Sequence, residues 1–139
     1  MIELDKNETL VLALPKGRIL EEVMPIVRKT GIEPEPAFND PNARQLRFST
    51  NVTGLDIIRV RSFDVATFVA FGGAHLGIVG NDVLMEFDYA ELYSPLDLNV
   101  GHCRISVAES VGMVAEDDPS RWSSVRVATK YPTITRQHF

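Results

Sequence analysis

The stretch Thr9-Leu10-Val11-Leu12-Ala13-Leu14-Pro15-Lys16-Gly17-Arg18-Ile19-Leu20 decides how this chain folds. Its first six residues form a nearly continuous apolar run. That is the pattern of a strand buried on both faces of a parallel sheet, not the alternation of a one-sided strand. Pro15 and Gly17 break the run. Ile19, Leu20, Val23, Met24, Ile26 and Val27 then recur at helical spacing and share one face. Gly31 supplies a helix stop. Residues 9–31 therefore predict strand, tight turn, helix.

Working outward, residues 33–44 carry Pro34, Pro36 and Pro41 among polar neighbours and predict a loop. Leu46-Arg47-Phe48-Ser49 alternates and predicts a strand. Asp56-Ile57-Ile58-Arg59-Val60-Arg61 predicts another. Ser62 is placed to cap a helix carrying Val65, Ala66, Phe68, Val69 and Phe71, and Gly72-Gly73 ends it. Leu76-Gly77-Ile78-Val79 predicts a buried strand, followed by a short helix from Gly80-Asn81-Asp82. This βα alternation is that of an α/β fold with a parallel sheet. Further on, residues 101–108, 111–115 and 125–129 predict strands, Asp117 to Ser120 a turn, and Tyr131 to Phe139 a helix. Phe139 has no cap, polar tail or return strand around it, so the expectation is a chain cut short.

Composition narrows the function classes. With 139 residues and 45% hydrophobic content, the chain can build a real core. A net charge of −5 argues against a nucleic-acid or anionic-membrane surface, which needs clustered positive charge. No apolar run is long enough to span a bilayer. The first residues, Met1 to Glu8, lack the basic start and apolar middle of a signal peptide. Cys103 is the single cysteine and has no intramolecular disulfide partner, which fits a reducing compartment. The expectation is cytoplasmic. Ten of the fourteen basic residues are arginine, the better fork for phosphate and carboxylate oxygens.

The first candidate for chemistry is the Pro15-Lys16-Gly17-Arg18 turn. Amides at a helix N-terminus are unpaired and sit at the positive end of the helix dipole. Gly17 allows close backbone approach, and Lys16 and Arg18 add two cations, making a plausible phosphate cradle. By spacing alone, a solvated turn with two surface cations explains the same residues. Arg44, with Arg47 behind it, could clamp a polyphosphate from the Pro-rich loop or be a plain surface arginine. Arg61 could sit at the carboxyl end of a parallel strand, where such folds bind ligands, or form a structural ion pair with Asp64. Gly77 to Asp82 forms a second strand-to-helix turn that could line the same crevice, or Asp82 could simply start a helix. His75, His102 and His138 have no metal-ligand spacing, and no nucleophile–base constellation stands out.

Together these segments resemble the catalytic subunit of ATP phosphoribosyltransferase, short form. The matching pieces are Leu12 to Leu20, Ile57-Ile58-Arg59-Val60-Arg61 with Asp64-Val65, and Gly73 to Leu84. Leu96-Asp97-Leu98 with Cys103-Arg104 and Val127 to Pro132 complete the set. The resemblance implies a two-lobed fold like type II periplasmic binding proteins, with residues 1–100 as lobe I and 101–139 as the start of lobe II. It implies transfer of phosphoribosyl from phosphoribosyl pyrophosphate to N1 of ATP, with Mg2+ and release of pyrophosphate, opening histidine biosynthesis. It implies Arg18 and Arg44 on the leaving group, and Lys16, Gly17, Arg61, Asp82 and Asp97 around the nucleotide, with no metal-ligating side chain assigned. A leaving pyrophosphate gathers charge in the transition state, so cations aid it more than an acid–base pair would.

The resemblance also implies a histidyl-tRNA-synthetase-like regulatory subunit and a homo-oligomer inside a hetero-oligomer, without nucleic acid or membrane. Two departures stand out. The family usually has an acidic residue where His75 stands. Its Thr-Gly-Thr phosphate loop falls beyond Phe139, so the 139-residue chain is expected to be inactive alone. Two other readings stay open at this point: a non-catalytic small-ligand binding module of the same fold, and an interaction protein.

Overall fold

In the computed structural model, residues 9–112 and 124–139 are described. The chain divides into two compact units, Met1–His102 and Cys103–Phe139.

The first unit is an α/β layer structure. Its elements are β1 (Leu10–Pro15), α1 (Arg18–Lys29), a 3-10 turn (Pro36–Asn39), β2 (Arg47–Ser49), β3 (Leu55–Val60), α2 (Ser62–Ala70), β4 (Leu76–Gly77) and α3 (Asn81–Phe87). The strands form one sheet in the order β2-β3-β1-β4. β1 pairs parallel with β3, Leu14 opposite Arg59 and Pro15 opposite Val60, and parallel with β4 on its other side. β2 runs antiparallel to β3, so the sheet is mixed rather than fully parallel.

The apolar run of β1 is explained by what covers it. Successive side chains of a strand point to opposite faces. Leu12 and Leu14 pack with Val23, Met24 and Val27 of α1, and with Phe38, Phe48 and Ile57. Val11 and Ala13 pack on the other face with Val65 of α2, Ile58, Val60 and Ala74. Both faces are thus apolar because both carry a helix. Each large apolar side chain buried this way contributes about 1.5–3 kcal/mol.

The helix ends follow the sequence closely. Gly31 takes φ 83° after α1, and its N–H donates to the Arg28 carbonyl at 2.9 Å. Gly72, at φ 76°, follows α2 in the same way. Ser62 does not cap α2: Arg61 occupies the cap with extended backbone, and Ser62 is already helical. β4 is shorter than the predicted strand and is exposed, because it is the outer strand of the sheet and not a central one.

In the second unit the described residues contain α4 (Pro132–His138), with Pro132 in the first helical turn. The described residues 101–108, 111–112 and 125–129 are not strands, against expectation. A strand is held by a neighbouring ladder, and these segments pair with none among the described residues. Residues 113–115 and the predicted turn from Asp117 to Ser120 lie outside the described residues.

Candidate functional site

Because β1, β3 and β4 run parallel, their carboxyl ends share one edge of the sheet. The chain leaves β1 for β3 on one side and reaches β4 on the other, so β1 is the topological switch point. Ligands of open α/β sheets bind outside the carboxyl ends at such a point. Three strand-to-helix turns lie along this edge: Lys16-Gly17 before α1, Arg61 before α2, and the turn through Gly80 before α3.

A cleft of about 230 Å3 opens at the first of these turns, lined by Lys16, Gly17, Leu20, Pro41, Ala43 and Arg59. Its floor is the start of α1. Gly17 stands at φ 89°, ψ −155°, a conformation essentially restricted to glycine, and no side chain caps the helix there. The Lys16 N–H donates to the Val60 carbonyl at 2.8 Å, which pins the turn to β3. The first turn of this 12-residue helix has no side-chain cap, and Gly17 and Leu20 at its start line the cleft.

The cleft is also lined by Arg59, which was not among the predicted site residues. Arg59 lies at the carboxyl end of β3 with its guanidinium carbon 5.3 Å from the Phe38 ring centroid and 5.2 Å from that of Phe48. Its Nη1 donates to the Phe38 carbonyl at 2.6 Å. Its Nε is buried with no hydrogen-bond partner. Among the described residues no carboxylate pairs with it. Aromatic rings and a carbonyl hold this cation without neutralising it, so its charge still acts on the cleft. The available signal was strand parity: Arg59 shares a face with the buried Ile57, and a cation at the end of a buried face is unusual.

Of the seven predicted site residues, Lys16 and Gly17 line the cleft. Arg18 follows directly, largely exposed, with its Nε 3.7 Å from Glu22. Arg44 is exposed beside the cleft-lining Ala43 and makes no ion pair among the described residues. Arg61 is exposed at the start of α2 and forms no ion pair with Asp64; its carbonyl accepts the Asp64 and Val65 amides. Asp82 sits half-buried in the first turn of α3. Asp97 is exposed and accepts the Asn99 N–H at 2.8 Å. Arg18, Arg44, Arg61, Asp82 and Asp97 are not among the cleft-lining residues.

His75 faces away from this chemistry. Its N–H donates to the Val11 carbonyl at 2.9 Å, and its Nδ1 accepts the Val11 N–H at 3.0 Å. It therefore fastens the chain to β1. Among the described residues no group of three or more His, Cys, Asp or Glu could hold a metal ion. No helix of the described residues is long and apolar enough to cross a membrane.

The family model for HisG, ATP phosphoribosyltransferase, matches residues 61–139, more than half of the chain. The chain belongs to the ATP phosphoribosyltransferase family. An ATP phosphoribosyltransferase of Paramagnetospirillum magneticum is 68% identical over 133 residues, which cover 96% of this chain and 61% of that protein. One from Rhodospirillum rubrum is 66% identical over 135 residues, covering 97% of this chain and 60% of that one. The chain thus spans about three fifths of the length of these ATP phosphoribosyltransferases. Among solved structures, the ATP phosphoribosyl transferase (HisG:HisZ) complex from Thermotoga maritima matches with a TM-score of 0.53 at 33% identity. That match covers 66% of this chain and 41% of the other. It supports an α/β architecture for the matched part.

Proposed function

We propose that the complete protein is an ATP phosphoribosyltransferase: it transfers phosphoribosyl from phosphoribosyl pyrophosphate to N1 of ATP, releases pyrophosphate, and opens histidine biosynthesis in the cytoplasm. The observation that carries the reading is one cleft at the sheet's switch point, lined by the Lys16-Gly17 turn and by Arg59, which no carboxylate pairs among the described residues. It is set in a chain 68% identical to a protein of that name.

The chemistry follows from where charge moves. As the bond from ribose C1 to the pyrophosphate oxygen breaks, negative charge collects on pyrophosphate and positive charge on the sugar. Donors fixed beforehand around the leaving oxygens lower that barrier without reorganising. Arg18, on the first turn of α1, and Arg44, on the loop beside Ala43, take this role. Lys16, Gly17, Arg61, Asp82 and Asp97 face the nucleotide. The cleft lining offers cations and no carboxylate, a set that does not fit a resident Mg2+ site. Mg2+ belongs in this scheme to the polyphosphate substrates, and no step is assigned to it as a resident cofactor.

The finer architecture belongs to the same proposal. Residues 1–100 form lobe I and residues 101–139 begin lobe II of a fold like type II periplasmic binding proteins. A regulatory subunit resembling histidyl-tRNA synthetase joins a homo-oligomeric catalytic assembly; the Thermotoga maritima relative, solved as a HisG:HisZ complex, supports a partner of that kind. Nucleic acid and membrane play no part. The test is turnover of the full-length protein carrying Arg18→Ala or Arg44→Ala. Both are expected to lose phosphoribosyl-ATP formation while melting like the parent, and parental rates in both would overturn the site assignment.

A further inference from the structure

The geometry points to Arg59 as a positioning residue that sets the pose of the loop carrying Arg44, an inference that rests on the site proposed above. Arg59 reaches both ends of that loop. Its Nη1 holds the Phe38 carbonyl at 2.6 Å, just before the loop begins. Its backbone N–H donates to the Leu46 carbonyl at 2.8 Å, just after the loop ends. Between these anchors lie Asp40, Pro41, Asn42, Ala43 and Arg44. Pro41 and Ala43 line the same cleft as Lys16 and Gly17.

The rest of the loop is held lightly. Its internal ties are the Ala43 N–H to the Asp40 carbonyl at 3.2 Å and the Asn42 N–H to Asp40 Oδ1 at 2.8 Å. On the outer side, Gln45 Nε2 donates to Glu35 Oε1 at 2.8 Å in an exposed contact. The inner contacts are stiffer. Phe38 and Phe48 meet edge to face at 5.2 Å and are almost fully buried. The planar guanidinium lies against both rings, which fixes its orientation as a flexible ammonium could not be fixed. Nε is buried without a hydrogen-bond partner, so the guanidinium is held by the Phe38 carbonyl and the two rings. Because Nε is sealed from solvent, the influence of Arg59 on a bound polyphosphate passes through the loop and through its field, not through that atom.

The experiment combines two readouts in the full-length protein. Arg59→Met keeps most of the stem and removes the charge and donors; Arg59→Lys keeps the charge and removes the planar fork. In Arg59→Met, amides of residues 38–46 should exchange about tenfold faster or more, while those of β1 stay protected. Its kcat/KM should fall about tenfold or more, yet cost less than about twofold in an Arg44→Ala background, because the residue being positioned is gone. Arg59→Lys should leave the loop loose and recover little rate; should Arg59→Met fail to fold, Arg59→Lys carries the same two tests. Unchanged loop exchange would overturn the inference, as would an equal loss with and without Arg44. A loosened loop with parental turnover in the Arg44→Ala protein would instead sink the catalytic reading and leave the positioning intact.

Discussion

Two strand-to-helix junctions sit on the same edge of this sheet and are built differently. Between β1 and α1 stand Lys16 and Gly17; between β3 and α2 stands Arg61 alone. Gly17 has φ 89°, whereas Arg61 has φ −68° and ψ 149°, an extended conformation open to any residue. The first junction lines the cleft beside Pro41 and Ala43, and Arg61 is not among the residues that line it. Parallel topology brings both to the edge where ligands bind, but only the first lines this cleft. The extra residue and the left-handed glycine give the first its exposed backbone. Pro41 and Ala43 of the Pro-rich loop line the same cleft.

The largest effects should come from breaking the first junction's charge. In the full-length protein, Arg18→Ala and Arg44→Ala should each lower kcat/KM at least about a hundredfold, near 3 kcal/mol of transition-state stabilisation. Steady-state assay of phosphoribosyl-ATP formation checks this, with thermal melts to show that folding survives.

Next is the backbone itself. Gly17→Ala should destabilise the fold by about 1–3 kcal/mol, since the glycine conformation is strained for any other residue even with open space around it. Denaturant unfolding measures it. The counterpart Arg61→Ala should leave stability within about 0.5 kcal/mol of the parent. Its effect should be a rise of about tenfold in the KM for ATP with kcat little changed, the mark of a binding contact. Equal kinetic losses at Arg61 and Arg18 would erase the distinction between the junctions. The smallest effect belongs to Glu22→Gln, which removes one exposed ion pair of α1 and should cost under about 0.5 kcal/mol in a melt.

The first junction was legible because its signals are local. A double-faced apolar run, a proline, a glycine and a helical stripe lie within a single stretch. Faces were legible too: the alternate burial of Val11, Leu12, Ala13 and Leu14 against opposite helices is what a run of that kind requires. Arg59 was not legible as a wall of the site. Its surroundings come from Phe38 in a loop read as structureless and from Phe48 on a three-residue strand. Nothing near it in sequence announces either. Asp97 was quoted from a motif, and its acceptance of the Asn99 N–H is a local contact that the motif does not announce. The strands expected around Ile105 and Val127 are absent because hydrophobic alternation supplies the face of a strand but not the neighbour that holds it.

Glu22 gives the first junction one more property. Its Oε1 faces Arg18 at 3.7 Å, while its Oε2 accepts the Gly101 N–H at 2.8 Å. In the proposed reaction Arg18 swings toward the polyanion, and the carboxylate keeps its shorter hydrogen bond and is not stranded. An exposed pair of this kind is worth about 0–1 kcal/mol, so its release is a small toll on binding. Arg18 is thereby parked in a berth it can leave, and the berth stays occupied by backbone after it has gone.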